Sequence, residues 1–232
     1  MIISELKEFF KKQLSEIYTN SESSELFSIF CSSILGMDKF ELRISQNNII
    51  SEEQTEVFKK LISELQSGKP YQQILGETEF YGLQFFVDEN VLIPRPETEE
   101  LLELAISEIQ KRNLKSSKII DIGTGSGIIP IVLKNKLPQA KVSAIDYSEK
   151  ALETAKKNAD FHKLDINFIH QNYLEENLSE VYDIIISNPP YIGMDEETDI
   201  ADSVKEFEPK VALFSPTSNA LIFYEKIADD CK

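Results

Sequence analysis

Asn188-Pro189-Pro190-Tyr191 combines groups suited to gripping a planar, nitrogen-bearing substrate. A carboxamide offers an acceptor and a donor, and Pro189 offers a carbonyl with no N–H of its own. Tyr191 offers an aromatic face. The tetrapeptide follows Tyr182-Asp183-Ile184-Ile185-Ile186-Ser187, an apolar run that reads as a buried strand. Two prolines cannot continue a central strand, so the strand must stop at Asn188. In open parallel α/β sheets ligands bind at that carboxyl edge. Taken alone, the prolines need do no more than end a strand.

A second constellation lies upstream. The short apolar strand Lys118-Ile119-Ile120-Asp121-Ile122 runs into Gly123-Thr124-Gly125-Ser126-Gly127. Glycines between a strand and a helix let the backbone approach a ligand closely. Their spacing is G-x-G-x-G, without the wider G-x-G-x-x-G of dinucleotide sites. Asp146 ends the next strand, where a carboxylate can accept hydrogen bonds from both hydroxyls of a ribose. Asp121 can hold an ammonium directly or through water. A nucleoside without a pyrophosphate fits this set, and S-adenosylmethionine carries the ammonium, the ribose and the adenine.

The elements that position these residues alternate from Lys118 onward. Strands over 118–122, 141–146, 166–170 and 182–187 are separated by helices over 128–137 and 148–162, with Pro130 confined to a first turn. This pattern predicts a parallel sheet with helices on both faces. Ahead of it, Leu6, Phe9, Phe10, Leu14 and Ile17 share a helical face, as do Val57, Phe58, Leu61, Ile62 and Leu65. Leu26, Phe27, Phe30 and Ile34 suggest a further helix. Ser51 with Gln54 forms a capping box. Residues 1–69 therefore read as a small helical bundle, either a recognition domain or a structural cap. Glu79 to Val87 and Val91 to Ile93, around Asp88-Glu89-Asn90, read as a β-hairpin within a linker over 70–94. Residues 95–232 form the ligand-binding domain. Either Thr98 caps or Pro96 begins the helix carrying Leu101, Leu102, Ala105 and Ile109. Glu97 and Glu99 suit the positive end of its dipole.

The bulk numbers exclude several classes. The chain has 232 residues, 41% of them hydrophobic, enough for a sizeable core. A formal net charge of -16 opposes non-specific binding to nucleic acid and permits steering of a basic protein partner. Cys31 and Cys231, with His162 and His170, make no metal-ligand spacing, so no metal is expected. No apolar stretch reaches the length of a membrane span, and Glu5 and Glu8 are unlike a signal peptide. A cytoplasmic protein, monomeric and without membrane contact, is the expectation.

These residues carry a family resemblance. The chain resembles the class I S-adenosylmethionine-dependent methyltransferases, and within them the bacterial family that modifies a glutamine in peptide chain release factors. The similarity runs from about Pro70 to the end. It rests on Pro70-Tyr71-Gln72-Gln73-Ile74-Leu75-Gly76, Val91 to Glu99, Asp121 to Gly127 and Ser187 to Ile192, with Phe207-Glu208-Pro209 and Ala212-Leu213 as a weaker fifth stretch. The resemblance implies a Rossmann-like sheet and S-adenosylmethionine as cofactor. Gly123, Thr124, Gly125, Ser126 and Gly127 would line its methionine part, and Asp146 would bind its ribose. Asn172 and Tyr173 would meet its adenine, Asn172 standing where relatives often carry an acid. Asn188 and the Pro189 carbonyl would grip the substrate amide, with Pro190 and Tyr191 beside it. The implied partner is a release factor, with no direct nucleic-acid contact. The alternatives are a methyltransferase of nucleic-acid adenine amines and a catalytically silent fragment that binds S-adenosylmethionine. The family continues through further strands, so this chain is expected to lack the C-terminal strands, to leave the fourth strand as an open edge and to be less stable for it.

Overall fold

The computed structural model describes residues 1–114, 116–195 and 202–232, with the side chain of Asp202 outside the description. The chain divides into two compact units, Met1–Leu75 and Gly76–Lys232. The six residues from Pro70 to Leu75 fall in the first and the hairpin in the second.

The first unit is helical: α1 Ile3–Leu14, α2 Asn20–Leu35, α3 Lys39–Ile44, α4 Glu52–Gln66 and α5 Tyr71–Leu75. Three successive helices start at reciprocal capping boxes, Thr19 with Glu22, Asp38 with Glu41 and Ser51 with Gln54. Each box satisfies backbone donors that a helix start leaves unpaired. α2 ends at Gly36 in the left-handed conformation. The core is aromatic. Phe10 meets Phe27 edge-on at 5.5 Å and Phe30 at 6.1 Å, and Phe27 meets Phe58 at 5.8 Å. Ile17 and Val57, placed by periodicity on the buried faces, are 50% and 39% exposed.

The second unit begins with an antiparallel hairpin, β1 Glu77–Phe80 and β2 Leu83–Phe86. Its turn is Tyr81-Gly82, not Asp88-Glu89-Asn90. Both turn residues have positive φ, 53° and 70°, as a tight two-residue hairpin requires. Val91 and Ile93 are buried but form no strand.

Next come α6 Glu97–Lys111, β3 Lys118–Ile122, α7 Ile128–Lys136, β4 Lys141–Asp146, α8 Glu149–His162, β5 Asn167–His170 and β6 Ile184–Ser187. The chain continues through α9 Asp202–Phe207, α10 Lys210–Leu213 and α11 Ile222–Asp230. Four parallel strands pair in the order β5-β4-β3-β6. One sheet face carries Ile119, Val142 and Ile186 against Leu102 of α6, Ile131 and Leu133 of α7 and Ala159 of α8. The opposite face carries Ile120, Ile122 and Ile145, with Tyr173 and with Phe223 and Ile227 of α11. Strands buried on both sides account for their continuous isoleucine runs.

Strand order sets the site. From β3 the chain moves outward to β4 and β5, then returns to the other side of β3 as β6. The strand order reverses between β3 and β6, and such a reversal opens a crevice at the carboxyl ends.

Candidate active site

Register places the key residues in one row. Ile122 pairs with Ile145 on one side and Ser187 on the other. Gly123, Asp146 and Asn188 are each the next residue along, so the glycine turn, the acid and the carboxamide emerge together from the carboxyl edge. The Ser187 hydroxyl donates to the Ile122 carbonyl at 2.6 Å, pinning β6 to β3 just before the tips diverge.

The glycine turn is held by its neighbours' backbone and side chains. Gly123 N–H and Thr124 N–H both donate to the Ile145 carbonyl at 3.0 Å, and Gly127 N–H donates to Thr124 O at 2.9 Å. Asp146 Oδ2 accepts from Gly125 N–H, and its Oδ1 accepts from Ser148 N–H, each at 2.8 Å. The acid therefore braces the turn while keeping lone pairs for a ligand. Burial raises the Asp146 pKa, and the backbone donors of Ser148, Gly125 and Tyr147 oppose that rise. Gly127 has φ of 80°, and a Cβ there would lie 3.0 Å from Ala155 Cβ, so α8 packs against the bare backbone. Asn158, fully buried on α8, completes the support: its Nδ2 donates to Ser126 O and Phe86 O, and its Oδ1 accepts from Phe86 N–H.

Asp121 lies beneath the turn, entirely buried. Neither of its carboxylate oxygens has a hydrogen-bond partner of sound geometry among the described residues, nor has the Thr124 hydroxyl. Burial pushes its pKa up to about 7. The adjacent Thr124 pulls it down and the Asp146 charge adds to the rise. A buried carboxylate without donors is costly, and a cation answers that cost.

At the tip of β6, Pro189 is buried and Asn188 half-buried, while Tyr191 is 62% exposed. Asn188 Nδ2 donates to Thr98 Oγ1 at 3.2 Å. No described residue donates to Asn188 Oδ1 or to the Pro189 carbonyl, so two acceptors stand free side by side in sequence. The segment beyond is anchored: Ile192 bridges Phe214 in parallel, Ser215 N–H donates to Ile192 O at 2.7 Å, and Met194 N–H donates to Thr217 O at 3.0 Å.

Residues 5–76 match the PrmC N-terminal domain, and residues 100–207 match the methyltransferase small domain. The release factor glutamine methyltransferase of Flavobacterium psychrophilum is 44% identical over 231 residues, 99% of this chain and 81% of that protein. Those of Bacteroides thetaiotaomicron and Streptococcus pneumoniae are 38% and 37% identical, over 95% and 97% of this chain and 79% of each relative. The chain belongs to the release factor glutamine methyltransferase family.

The cofactor of such a methyltransferase is S-adenosylmethionine, and the donor set fits it. The orphaned Asp121 carboxylate suits its ammonium, Asp146 has acceptor capacity for its ribose, and the open backbone of Gly123 and Gly125 leaves room for close approach. The two adenine candidates are placed less openly. Asn172 Oδ1 already accepts from Leu174 N–H at 3.3 Å, leaving one lone pair. The Tyr173 ring is 3% exposed, packed in the core on the α11 face, with its hydroxyl donating to Asp230 at 2.7 Å. It presents no open face for stacking.

The structure also explains the run Arg95-Pro96-Glu97-Thr98-Glu99. Pro96 takes the N-cap position of α6, and Thr98 lies in the first turn without capping it. Arg95 Nη2 donates to Glu208 Oε1 at 2.5 Å, and Glu208 Oε2 accepts from Ile93 N–H at 3.0 Å. Glu99 Oε1 accepts from Tyr81 N–H at 2.7 Å, so it holds the hairpin turn besides facing the helix dipole. Glu97, unlike Glu99, is exposed and keeps the dipole explanation. Sequence reasoning missed Thr98, Glu208 and Asn158 as parts of this edge. The signal for the first two was their membership of the family-specific stretches; Asn158 sits in an ordinary amphipathic helix and had none.

Proposed function

We propose that the protein transfers a methyl group from S-adenosylmethionine to the side-chain amide nitrogen of a glutamine in a peptide chain release factor. The observation that carries this reading is the pair of free acceptors, Asn188 Oδ1 and Pro189 O, one and two residues beyond the strand pairing that also launches the glycine turn.

An amide nitrogen is a poor nucleophile because its lone pair is delocalised into the carbonyl. S-adenosylmethionine supplies an electrophilic methyl carbon on a sulfonium. The chain's residues must hold the nitrogen in line with that carbon and favour the state in which nitrogen gains positive charge. Two carbonyl-type oxygens accepting the two N–H bonds do both, since each hydrogen bond strengthens as charge develops. Asn188 and Pro189 take that role. Exposed Tyr191 covers the amide plane, and Pro190 stiffens the loop between them. The extra proton of the methylated amide leaves to water, so no side-chain base is required. Asp121 fixes the ammonium, Asp146 the ribose, Gly123 to Gly127 the methionine chain and Asn172 the adenine edge.

The setting we infer is a cytoplasmic monomer that meets the release factor without touching nucleic acid. The charge of -16 and the two unpaired cysteines support this. The test is labelled methyl transfer from S-adenosylmethionine to a purified release factor, alongside a release factor whose acceptor glutamine is replaced. Label in the first and none in the second is expected. Equal label in both, or cofactor binding with no transfer to either, sinks the reading.

A further inference from the structure

We propose that Ser187 is a positioning residue for methyl transfer: its hydroxyl holds the substrate-gripping tip of β6 at a fixed distance from the cofactor turn that follows β3. This rests on the function proposed above. In-line transfer needs the acceptor nitrogen and the methyl carbon held in close alignment. Here the two reactants belong to different strand ends. Asn188 and Pro189 hold one at the end of β6, and Gly123 to Gly127 hold the other at the end of β3. Something must tie those ends together.

Backbone pairing carries the two strands as far as Ile122 and Ser187. Beyond Asn188 the donors of β6 run out, because Pro189 and Pro190 have no N–H. The Gly123 and Thr124 N–H groups turn the other way and donate to Ile145 O of β4. A terminal rung opens more readily than the rungs inside a sheet. Ser187 adds a side-chain bond at this rung, its hydroxyl on Ile122 O at 2.6 Å. The direction of that bond is fixed by chemistry: a carbonyl oxygen only accepts, so the hydroxyl donates. The carbonyl belongs to the Ile122–Gly123 peptide, whose N–H end is held by Ile145 O at 3.0 Å. One peptide plane is therefore gripped from both neighbouring strands, and it opens the glycine turn. On the β6 side, the residue that grips it is directly followed by Asn188.

Each half has further supports of its own. The turn keeps its bonds to Ile145 O and to Asp146. The β6 tip keeps the contact of Asn188 with Thr98, and Ile192 O still accepts from Ser215 N–H. Losing the Ser187 hydroxyl leaves both binding sites assembled and frees only the spacing between them. The consequence is a loss in the transfer step without a matching loss in binding.

The test compares Ser187→Ala, which removes the donor, with Ser187→Thr, which keeps it, in the 232-residue chain. Ile109→Val serves as a stability control, because it trims a buried side chain far along α6 from the site. Single-turnover methylation of a release factor by Ser187→Ala should run about tenfold slower, since a misplacement of about 1 Å can cost about 100-fold and here one of several supports is lost. Affinity for S-adenosylmethionine and KM for the release factor should stay within about twofold. Ser187→Thr should recover most of the rate. Ile109→Val should lose stability, read by thermal melting, and keep its rate. Amide exchange over residues 122–124 and 186–188 should quicken about fivefold in Ser187→Ala, the scale of one hydrogen bond, and slow again in Ser187→Thr. An unchanged rate in Ser187→Ala, a fall in cofactor affinity as large as the fall in rate, an equal slowing in Ile109→Val or no recovery in Ser187→Thr would overturn the proposal. If the unaltered chain methylates no release factor, the function proposed above fails; quickened exchange then keeps Ser187 as the tie between the strand ends, and unchanged exchange removes it.

Discussion

Two side chains at the sheet edge carry opposite demands. Asn188 must present an unpaired acceptor to a substrate, while the buried Asp121 carboxyl accepts no well-formed hydrogen bond among the described residues and has only Thr124 close by. Replacing Asn188 by Ala removes one of two acceptors for developing charge, so kcat should fall on the order of 10²–10³-fold with S-adenosylmethionine affinity little changed; steady-state kinetics beside calorimetry checks both. For Asp121 the sign follows from its raised pKa, about 7 in the folded protein. In the unliganded protein, this group's contribution to stability is fully present below its unfolded pKa, near 4, and lost as pH rises to about 7. Binding of a cation prefers the carboxylate, so it should run the other way. S-adenosylmethionine affinity should tighten roughly tenfold between pH 6 and pH 8, with proton release visible as a buffer-dependent heat near pH 7. Asp121→Asn should give a flat profile; a flat profile in the unaltered protein would remove the ammonium contact from the account.

At the scale of elements, the glycine turn and the start of α6 are supported from behind. Gly127→Ala would force a side chain into positive φ and into Ala155 of α8, at a cost of about 1–2 kcal/mol from backbone strain before any displacement of the helix. Thermal melting should show that loss, and calorimetry should show weakened cofactor binding because the turn moves with α8. Arg95→Ala leaves the buried Glu208 carboxylate with the Ile93 N–H as its remaining described donor and should cost about 1–3 kcal/mol, read from denaturant unfolding; the pair Arg95→Met with Glu208→Leu should recover much of it.

The strands were legible because isoleucine runs end at glycine or proline, as at Ile122 and Ser187. The hairpin turn was not, because Tyr81-Gly82 sits inside an aromatic run and its turn geometry comes from backbone φ, with Glu99 fixing it from outside. The pairings of Thr98 with Asn188, of Arg95 with Glu208 and of Asn158 with Phe86 were hidden for a related reason. Their partners lie 90, 113 and 72 residues away, and periodicity reports only neighbours along one element. Tyr173 misled in the opposite direction. An aromatic after the third strand of the sheet looks available for stacking, yet its side chain turned into the core.

On the whole-molecule scale, a chain of net charge -16 carries a site for a neutral amide, so recognition of the partner and chemistry at the edge are separable. Duplex DNA should show no retention at about 0.15 M salt, checked by titrating salt against binding; a steep loss of affinity with salt would instead favour the adenine-amine alternative. The most direct test of the central geometry is a crystal structure with S-adenosylhomocysteine and a glutamine peptide from a release factor. The account predicts the glutamine amide nitrogen within hydrogen-bond range, about 2.7–3.2 Å, of both Asn188 Oδ1 and the Pro189 carbonyl, on the side facing the cofactor sulfur. A glutamine held elsewhere, or an Asn188 that turns its N–H₂ toward the substrate, would contradict it.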